Sequence, residues 1–171
     1  RGAWRLRRLA RHAKFDFFHC RGDIPAVMVH LSRLSGPLLL DMRGFFSDER
    51  VDAGSWAAGS LLDRAVRSME GRNLRRANRI VVLTERGRAV LIARGVSLPI
   101  DVIPTCVDVD LFKPAGAMSE SSFDLVYFGS LGGWYMTDEM MNFVEWLGET
   151  NPRIRVLFLT NNPEEMTRAR L

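Results

Sequence analysis

The chain has 171 residues, of which 47% are hydrophobic and 26% are charged. This balance is typical of a globular protein with an apolar core and excludes an intrinsically disordered chain. No apolar run reaches the roughly 18 residues that a membrane-spanning helix needs. The two cysteines, Cys20 and Cys106, lack the CxxC spacing of zinc and thioredoxin-type motifs.

The net charge of +4 is concentrated near the start of the chain. The segment from Arg1 to Lys14 carries six basic residues and no acidic one, whereas the remaining residues carry 18 basic and 20 acidic ones. Such a local patch is not the field of a nucleic-acid-binding domain, so we expect no nucleic-acid partner. The segment predicts either an amphipathic helix that contacts anionic lipid or a helix with a solvated basic face.

Short apolar strands alternate with helices from residue 15 onward. We predict a strand at 15–20, a helix at 24–34 and a second strand at 38–42, followed by a polar loop at 43–59. The expected apolar face of the helix consists of Val27, His30, Leu31 and Leu34.

A long helix follows, for which Ser60 is the expected N-terminal cap. A strand at 80–84, a helix at 85–94 ended by Gly95, and a strand at 100–103 complete this part of the chain. The expected apolar stripe of the long helix consists of Leu61, Leu62, Ala65, Val66 and Met69.

A second β-α-β unit is predicted after residue 122. Its strands lie at 123–128 and 154–159, and its helix lies at 137–147. A glycine-rich turn at 129–133 joins the first strand to the helix, and Pro163 opens another helix. One face of this helix is expected to carry Met140, Phe143, Val144 and Leu147.

Repeated β-α units with right-handed crossovers predict an α/β fold with parallel sheets. We interpret 1–112 as the C-terminal half of one Rossmann-like domain, 113–122 as a linker, and 123–171 as the first β-α-β of a second domain. Because residue 1 is Arg rather than Met and the last residues predict a helix that has only begun, we expect an internal fragment of a longer protein.

Charged residues follow the strand at 38–42, at the edge of a parallel sheet where ligands bind. Asp41 is a candidate general base at this edge, and Arg43 offers forked donors for a carboxylate or phosphate. Further ligand-contact candidates nearby are His19, Asp48, Glu49, Arg50 and Glu85. The structural alternative is one salt-bridge network among Asp41, Arg43, Asp48, Glu49 and Arg50 that orders the loop, with Thr84 acting only as a helix cap.

The glycine-rich turn is the second candidate site. Glycines between a strand and a helix let backbone N–H groups approach a diphosphate, and aromatic side chains here can stack on a base or sugar or simply cover the turn. The alternative is a plain strand–helix turn. The candidate residues are Gly129, Ser130, Gly132, Gly133, Trp134 and Tyr135.

Four segments, in this order, resemble the family 4-like glycosyltransferases of the GT-B fold. The first combines Asp41-Met42-Arg43-Gly44 with Asp48-Glu49-Arg50, and the other three are 77–85, 103–108 and 126–130. The resemblance implies an acceptor-side first domain and a donor-binding second domain, with reaction in the cleft between them. It implies that Asp41 and Arg43 lie beside the transferred sugar and that the turn at 129–135 lies beneath the donor diphosphate. His19, Asp48, Glu49, Arg50 and Glu85 become acceptor-side candidates.

The function implied by the resemblance is hexosyl transfer from a nucleotide-diphosphate sugar to a glycan or lipid-linked hydroxyl acceptor. We expect a role in polysaccharide or cell-envelope glycan synthesis, on the cytoplasmic side of the membrane, without a metal or a separate cofactor. This fragment alone is expected to be inactive. The alternatives are a GT-B-fold sugar-nucleotide epimerase and a non-catalytic two-domain binding protein.

Overall fold

The computed structural model describes residues 2–113, 122–132 and 135–161. The chain divides into two compact units, Arg1–Val107 and Asp108–Leu171. Most of the predicted linker (114–121), the candidates Gly133 and Trp134, and the helix predicted from Pro163 lie outside the described residues. The assignment of the units to acceptor and donor domains stays a prediction.

The first unit is built on a parallel sheet of four strands, which confirms the predicted α/β fold. The strands lie side by side in chain order, and every neighbouring pair is parallel. They are β1 (Phe18–Arg21), β2 (Leu38–Asp41), β3 (Arg79–Val82) and β4 (Ile100–Val102).

Five helices accompany this sheet: α1 (Gly2–Leu9), α2 (Asp23–Leu31), α3 (Phe46–Asp52), α4 (Leu61–Arg76) and α5 (Glu85–Ala93). The predicted caps are confirmed, since the Ser60 and Thr84 side chains accept the N–H groups of Asp63 and Gly87. Gly95 follows the last turn of α5 with φ of 82°, a left-handed conformation that glycine adopts without a Cβ penalty.

The two faces of the four-stranded sheet have different chemistry. One face packs against α2, α4 and α5 and forms the apolar core, in which Leu38, Leu40, Ile80 and Leu91 are almost fully buried. Each such side chain contributes about 1.5–3 kcal/mol to stability. The strand register places the opposite side chains on the second face, which carries His19, Leu39, Asp41, Arg79, Val81 and Asp101.

Several sequence expectations are wrong in detail. Strand β1 begins at Phe18, so residues 15–17 are not part of it, and the loop expected at 43–59 contains helix α3. Helix α2 buries Asp23, Ala26 and Val29. Its buried face therefore lies one residue earlier along the chain than the predicted face. Val27 and Leu34 are half-buried, whereas His30 and Leu31 are exposed.

Helix α4 also turns a different face inward. Its buried residues are Asp63, Glu70 and Asn73, whereas the predicted stripe residue Leu61 is 85% exposed. Val66 and Met69 of the predicted stripe are half-buried. The most buried positions of the helix are therefore polar, although Leu74 packs against the apolar core, and the apolar pattern of the sequence does not identify this face.

The second unit contains the predicted β-α-β arrangement. Strands β5 (Leu125–Phe128) and β6 (Val156–Leu159) are parallel, and helix α6 (Thr137–Thr150) connects them. The residue before β5, Asp124, is held by Arg155, whose backbone and side chain both donate to its carboxylate. Among the described residues, every helix of the chain is too short or too polar to traverse a lipid bilayer.

Candidate functional site

The carboxyl end of strand β2 is held between its two neighbours in the sheet. The Gly22 N–H donates to the Asp41 carbonyl, and the Met42 N–H donates to the Val81 carbonyl, each at 2.8 Å. These bonds fix the backbone on both sides of Asp41. The chain can therefore present the residues that follow β2 in a defined position at the edge of the sheet.

Asp41 sits at the centre of a three-residue cluster. Its side chain is 9% exposed, with the His19 Nε2 atom 3.4 Å from Oδ2 and the Arg43 Nε atom 3.4 Å from Oδ1. The Oδ1 atom is buried and accepts no hydrogen bond within the described part of the chain. Leaving a buried carboxylate oxygen without a donor is costly, by about 1–3 kcal/mol. The Arg43 guanidinium beside Oδ1 offsets part of that cost electrostatically.

Arg43 connects this cluster to a small cleft. The cleft has a volume of about 160 Å³ and lies between the loop after β2 and the N-terminus of α5. A guanidinium group beside the positive end of a helix favours an anionic or hydroxyl-rich ligand. Asp41 does not line the cleft, so Arg43 is the member of the pair that faces it. The lining residues are Met42, Arg43, Gly44, Phe45, Val82, Leu83, Thr84 and Gly87.

Gly44 lets the loop close against helix α3. A Cβ atom added at Gly44 would overlap the Glu49 carboxylate, so a larger residue would push Glu49 away from the loop. The Glu49 carboxylate therefore packs directly against the loop at Gly44. The sequence predicted Glu49 as an acceptor-side candidate, and that role stays a prediction.

Asp48 joins three helices. Its carboxylate oxygens lie 2.7 Å from the guanidinium nitrogens of Arg67 on α4 and of Arg94 at the end of α5. Burial opposes the ionisation of Asp48, but hydrogen bonds from Arg94 and Arg67 outweigh it and lower the pKa of Asp48. The Arg94 guanidinium also lies 4.6 Å from the Phe45 ring centroid, beside the cleft. This arrangement clamps α3 and the loop before it onto the rest of the unit.

The single salt-bridge network expected among five loop residues is therefore wrong. Asp41 and Arg43 form one cluster with His19, and Asp48 forms another with Arg67 and Arg94. Arg50 lies over the Phe46 ring, 5.2 Å from its centroid. The partners on α4 and α5 were missed because they lie far along the chain in helices.

A cluster of buried polar side chains lies beneath α3 and was also not predicted from the sequence. The Ser47 hydroxyl donates to Asp63 Oδ1 at 2.6 Å, and the Ser47 N–H donates to Glu70 Oε1 at 2.9 Å. The bond from Ser47, with that from the Gly59 N–H, lowers the pKa of Asp63 to about 2. Burial raises the pKa of Glu70, and the nearby negative charge of Asp23 acts in the same direction. The pattern that could have indicated this cluster is the spacing of Asp63 and Glu70, which are seven residues apart and therefore lie on one side of α4.

Glu85 is not brought to the Asp41 cluster. It lies in the exposed first turn of α5 and pairs with Arg88, whose Nη1 atom is 3.3 Å from its carboxylate. Thr84 caps the same helix, as predicted. Capping of α5 is a sufficient structural reason for Thr84 at this position. An acceptor contact of Glu85 stays a prediction.

The glycine-rich turn of the second unit follows the carboxyl end of β5, as predicted. The Gly129 N–H donates to the Leu159 carbonyl at 3.0 Å, and the Gly132 N–H donates to the Thr137 hydroxyl at 2.6 Å. The Tyr127 hydroxyl donates to the Ser130 carbonyl. These bonds brace the turn and occupy two of its amides internally. Tyr135 is exposed, and contact of this turn with a diphosphate stays a prediction.

The distribution of ionisable side chains bears on metal binding. Within 2–113, 122–132 and 135–161, His, Cys, Asp and Glu side chains form no group of three or more that could hold a metal ion.

Comparisons with known proteins identify the family to which the chain belongs. A search among curated proteins gave no significant match. The family model for Glycosyltransferase Family 4 matches residues 1–111, which include all of α1 to α5 and β1 to β4. Because the match covers well over half of the chain and the resemblance predicted it, the chain belongs to Glycosyltransferase Family 4.

Proposed function

We propose that this chain is part of an enzyme that transfers a hexose from a nucleotide-diphosphate sugar to a hydroxyl group, with the acceptor bound by its first unit. The acceptor would be a glycan or lipid-linked saccharide, in polysaccharide or cell-envelope glycan synthesis on the cytoplasmic side of a membrane. Family membership supports glycosyl transfer. The observation that carries the proposal is the position of Arg43, on the cleft at the carboxyl edge of the sheet with Asp41 behind it.

Arg43 is the proposed substrate contact. Glycosyl transfer builds negative charge on the leaving diphosphate, and a fixed guanidinium stabilises such charge in the transition state. The planar fork of arginine also suits phosphate oxygens and sugar hydroxyls. The adjacent N-terminus of α5 adds a partial positive charge on the same cleft.

Asp41 is proposed as a positioning residue rather than a group that touches the sugar. Its side chain is almost fully buried, and its two oxygens each face one basic side chain, Arg43 or His19. A buried carboxylate in this position restricts the orientations of both partners. The general-base role expected of Asp41 therefore passes to a neighbour.

His19 is the proposed proton acceptor for the attacking hydroxyl. The imidazole is about half exposed and contacts Asp41 through Nε2, so Asp41 orients the ring as the third group of a catalytic relay does. A neutral imidazole can accept the hydroxyl proton during attack. Asp48, Glu49, Arg50 and Glu85 are proposed only as outlying acceptor contacts.

The donor diphosphate is proposed to bind the turn at 129–135 in the second unit. The position of this turn just after the carboxyl end of β5 and the exposed ring of Tyr135 support this assignment. The nucleotide sugar is a substrate, and we propose neither a metal nor a separate cofactor.

Product analysis tests the reaction class. The full-length protein is incubated with UDP-, GDP- and dTDP-hexoses, with and without a saccharide acceptor, and the products are separated by mass and by sugar composition. Transfer predicts a new glycoside that forms only when acceptor is present. An epimerised nucleotide sugar formed without acceptor would support the epimerase instead. Donor binding without any product would support a binding protein.

A further inference from the structure

Helix α1 has one face fixed against the protein. The Ser32 hydroxyl donates to the Ala3 carbonyl at 2.9 Å, and Gly2 lies so close to the Met28 side chain that a Cβ there would crowd it. Leu6 packs against the apolar core. Because these contacts define which side of the helix is turned inward, the opposite side is also defined.

The outer face of α1 is basic and carries an aromatic side chain. Its residues lie three or four apart, as positions on one side of a helix do. Trp4 is 66% exposed, and the Arg8 guanidinium lies 5.8 Å from the centre of its ring. The face borders a groove of about 190 Å³, lined by Trp4, Arg7, Arg8, Arg11 and His12.

The positive charge of this face is not neutralised by the protein. Residues 2–14 contain five Arg and Lys side chains and no acid, and none of them forms an ion pair with a residue that the structure describes. Elsewhere in the first unit, Arg67, Arg79 and Arg94 each pair with an aspartate. The positive charge of this face is therefore open to an anionic partner outside the unit.

We propose that the outer face of α1 docks on an anionic lipid bilayer. Phosphate headgroups complement its arginines, and the apolar side chains beside them suit the acyl boundary. Trp4 and Leu9 are both more than 60% exposed, and the exposed rings of Phe15 and Phe17 follow in the next segment. Tryptophan favours the lipid–water interface, where its apolar ring and N–H are both accommodated. A short helix of this kind binds reversibly, with a strong dependence on salt. This inference does not rest on the proposed transferase activity.

The test is co-sedimentation of the full-length protein with phosphatidylcholine vesicles that contain or lack phosphatidylglycerol. We compare Arg7→Gln/Arg8→Gln/Arg11→Gln with a control in which three exposed arginines elsewhere, Arg64, Arg72 and Arg153, become Gln. Loss of three surface charges at the bilayer predicts a roughly hundredfold weaker partition for the first variant. Trp4→Ala predicts about a tenfold loss. The matching Arg→Lys triple variant should bind like the wild type.

Two further readouts decide the outcome. Circular dichroism checks that each variant is folded, and a single-stranded oligonucleotide and heparin probe for general polyanion binding. Binding that requires phosphatidylglycerol, weakens with salt and depends on Trp4 supports the proposal. Equal binding to neutral vesicles, equal losses in both Arg→Gln variants, or binding to the polyanions without binding to vesicles would overturn it.

Discussion

At the scale of single residues, the main feature is a buried carboxylate flanked by an arginine and a histidine. Asp41 contacts His19 and Arg43 through different oxygens, and Oδ1 accepts no hydrogen bond from a described residue. A fold built only for stability would supply a donor to that oxygen. Such an imperfectly satisfied group at the edge of a parallel sheet is typical of a functional site.

Asp41→Asn tests the positioning role. The amide keeps the shape of the side chain but removes the charge that holds Arg43 and His19, so their orientations are released. We expect kcat for sugar transfer to fall by about a hundredfold, because small displacements of catalytic groups have effects of that size. The KM for the donor should change much less, and Tm should stay close to that of the wild type.

The matched control for Asp41→Asn is Asp52→Asn, at an exposed position on α3. It should leave kcat unchanged. A purely structural Asp41 would give a lower Tm with normal kcat in the folded fraction, and that pattern would contradict the positioning role.

Glu70 gives the first unit a stability that depends on pH. Burial raises the pKa of Glu70, so the folded state favours its neutral form, and Glu70 contributes less stability as pH rises through that pKa. Glu70→Gln stays neutral and can still accept the Ser47 N–H. We expect urea unfolding to show that the advantage of Glu70→Gln over the wild type is small near about pH 4 and larger near pH 7. An advantage that is constant or shrinks toward neutral pH would show that burial of this charge is not costly.

At the scale of elements, helix α3 holds in place the loop at 42–45, which carries Arg43. It is only seven residues long, so it depends on tertiary contacts rather than on its own propensity. Asp48 ties it to Arg67 and Arg94, and Ser47 ties it to the buried face of α4. The loop that carries Arg43 leads directly into this helix.

Ser47→Ala tests that attachment. Removing the fully buried hydroxyl leaves Asp63 with one donor fewer, and we expect a loss of about 1–3 kcal/mol in the free energy of unfolding by urea. Ser68→Ala, at an exposed position on α4, should stay within about 0.5 kcal/mol of the wild type. Equal effects of the two substitutions would mean that the Ser47 bond contributes nothing to the docking of α3.

The sequence predicts the local features of these elements and misses their tertiary partners. Ser60, Thr84 and Gly95 were identified because caps depend on chemistry within one turn. The prediction of the inward face of α4 was wrong because its buried positions hold Asp63 and Glu70. These carboxylates accept hydrogen bonds from groups on α3 and its flanking loop. Apolar periodicity cannot detect buried helix positions whose polar side chains are satisfied by hydrogen bonds.

The candidate site was partly predictable for a similar reason. His19 and Asp41 were expected at one sheet edge because parallel strands align their carboxyl ends, and the structure brings them together. The burial of Asp41 behind Arg43 was not predictable, since it depends on side-chain positions. Arg67 and Arg94 were missed because their contacts join helices far apart in the chain.

At the scale of the whole molecule, the strand order explains where the site lies. In the first unit the strands follow one another in chain order, so right-handed crossovers place α2, α4 and α5 on the same face of the sheet. His19 and Asp41 belong to the other face, near the edge where substrate sites of parallel sheets form. Topology therefore separates the apolar core from the proposed chemistry within the same four strands.

The most direct test of this account is the rate of sugar transfer by the full-length protein with Arg43→Ala, compared with Arg72→Ala at an exposed position on α4. Loss of a guanidinium that stabilises the leaving diphosphate predicts a fall in kcat/KM of about a hundredfold or more, with Tm unchanged and with partial recovery when guanidinium ions are added. The Arg72 control should transfer sugar at the wild-type rate. A folded Arg43→Ala enzyme with wild-type kcat/KM would contradict the assignment of this cleft to the reaction.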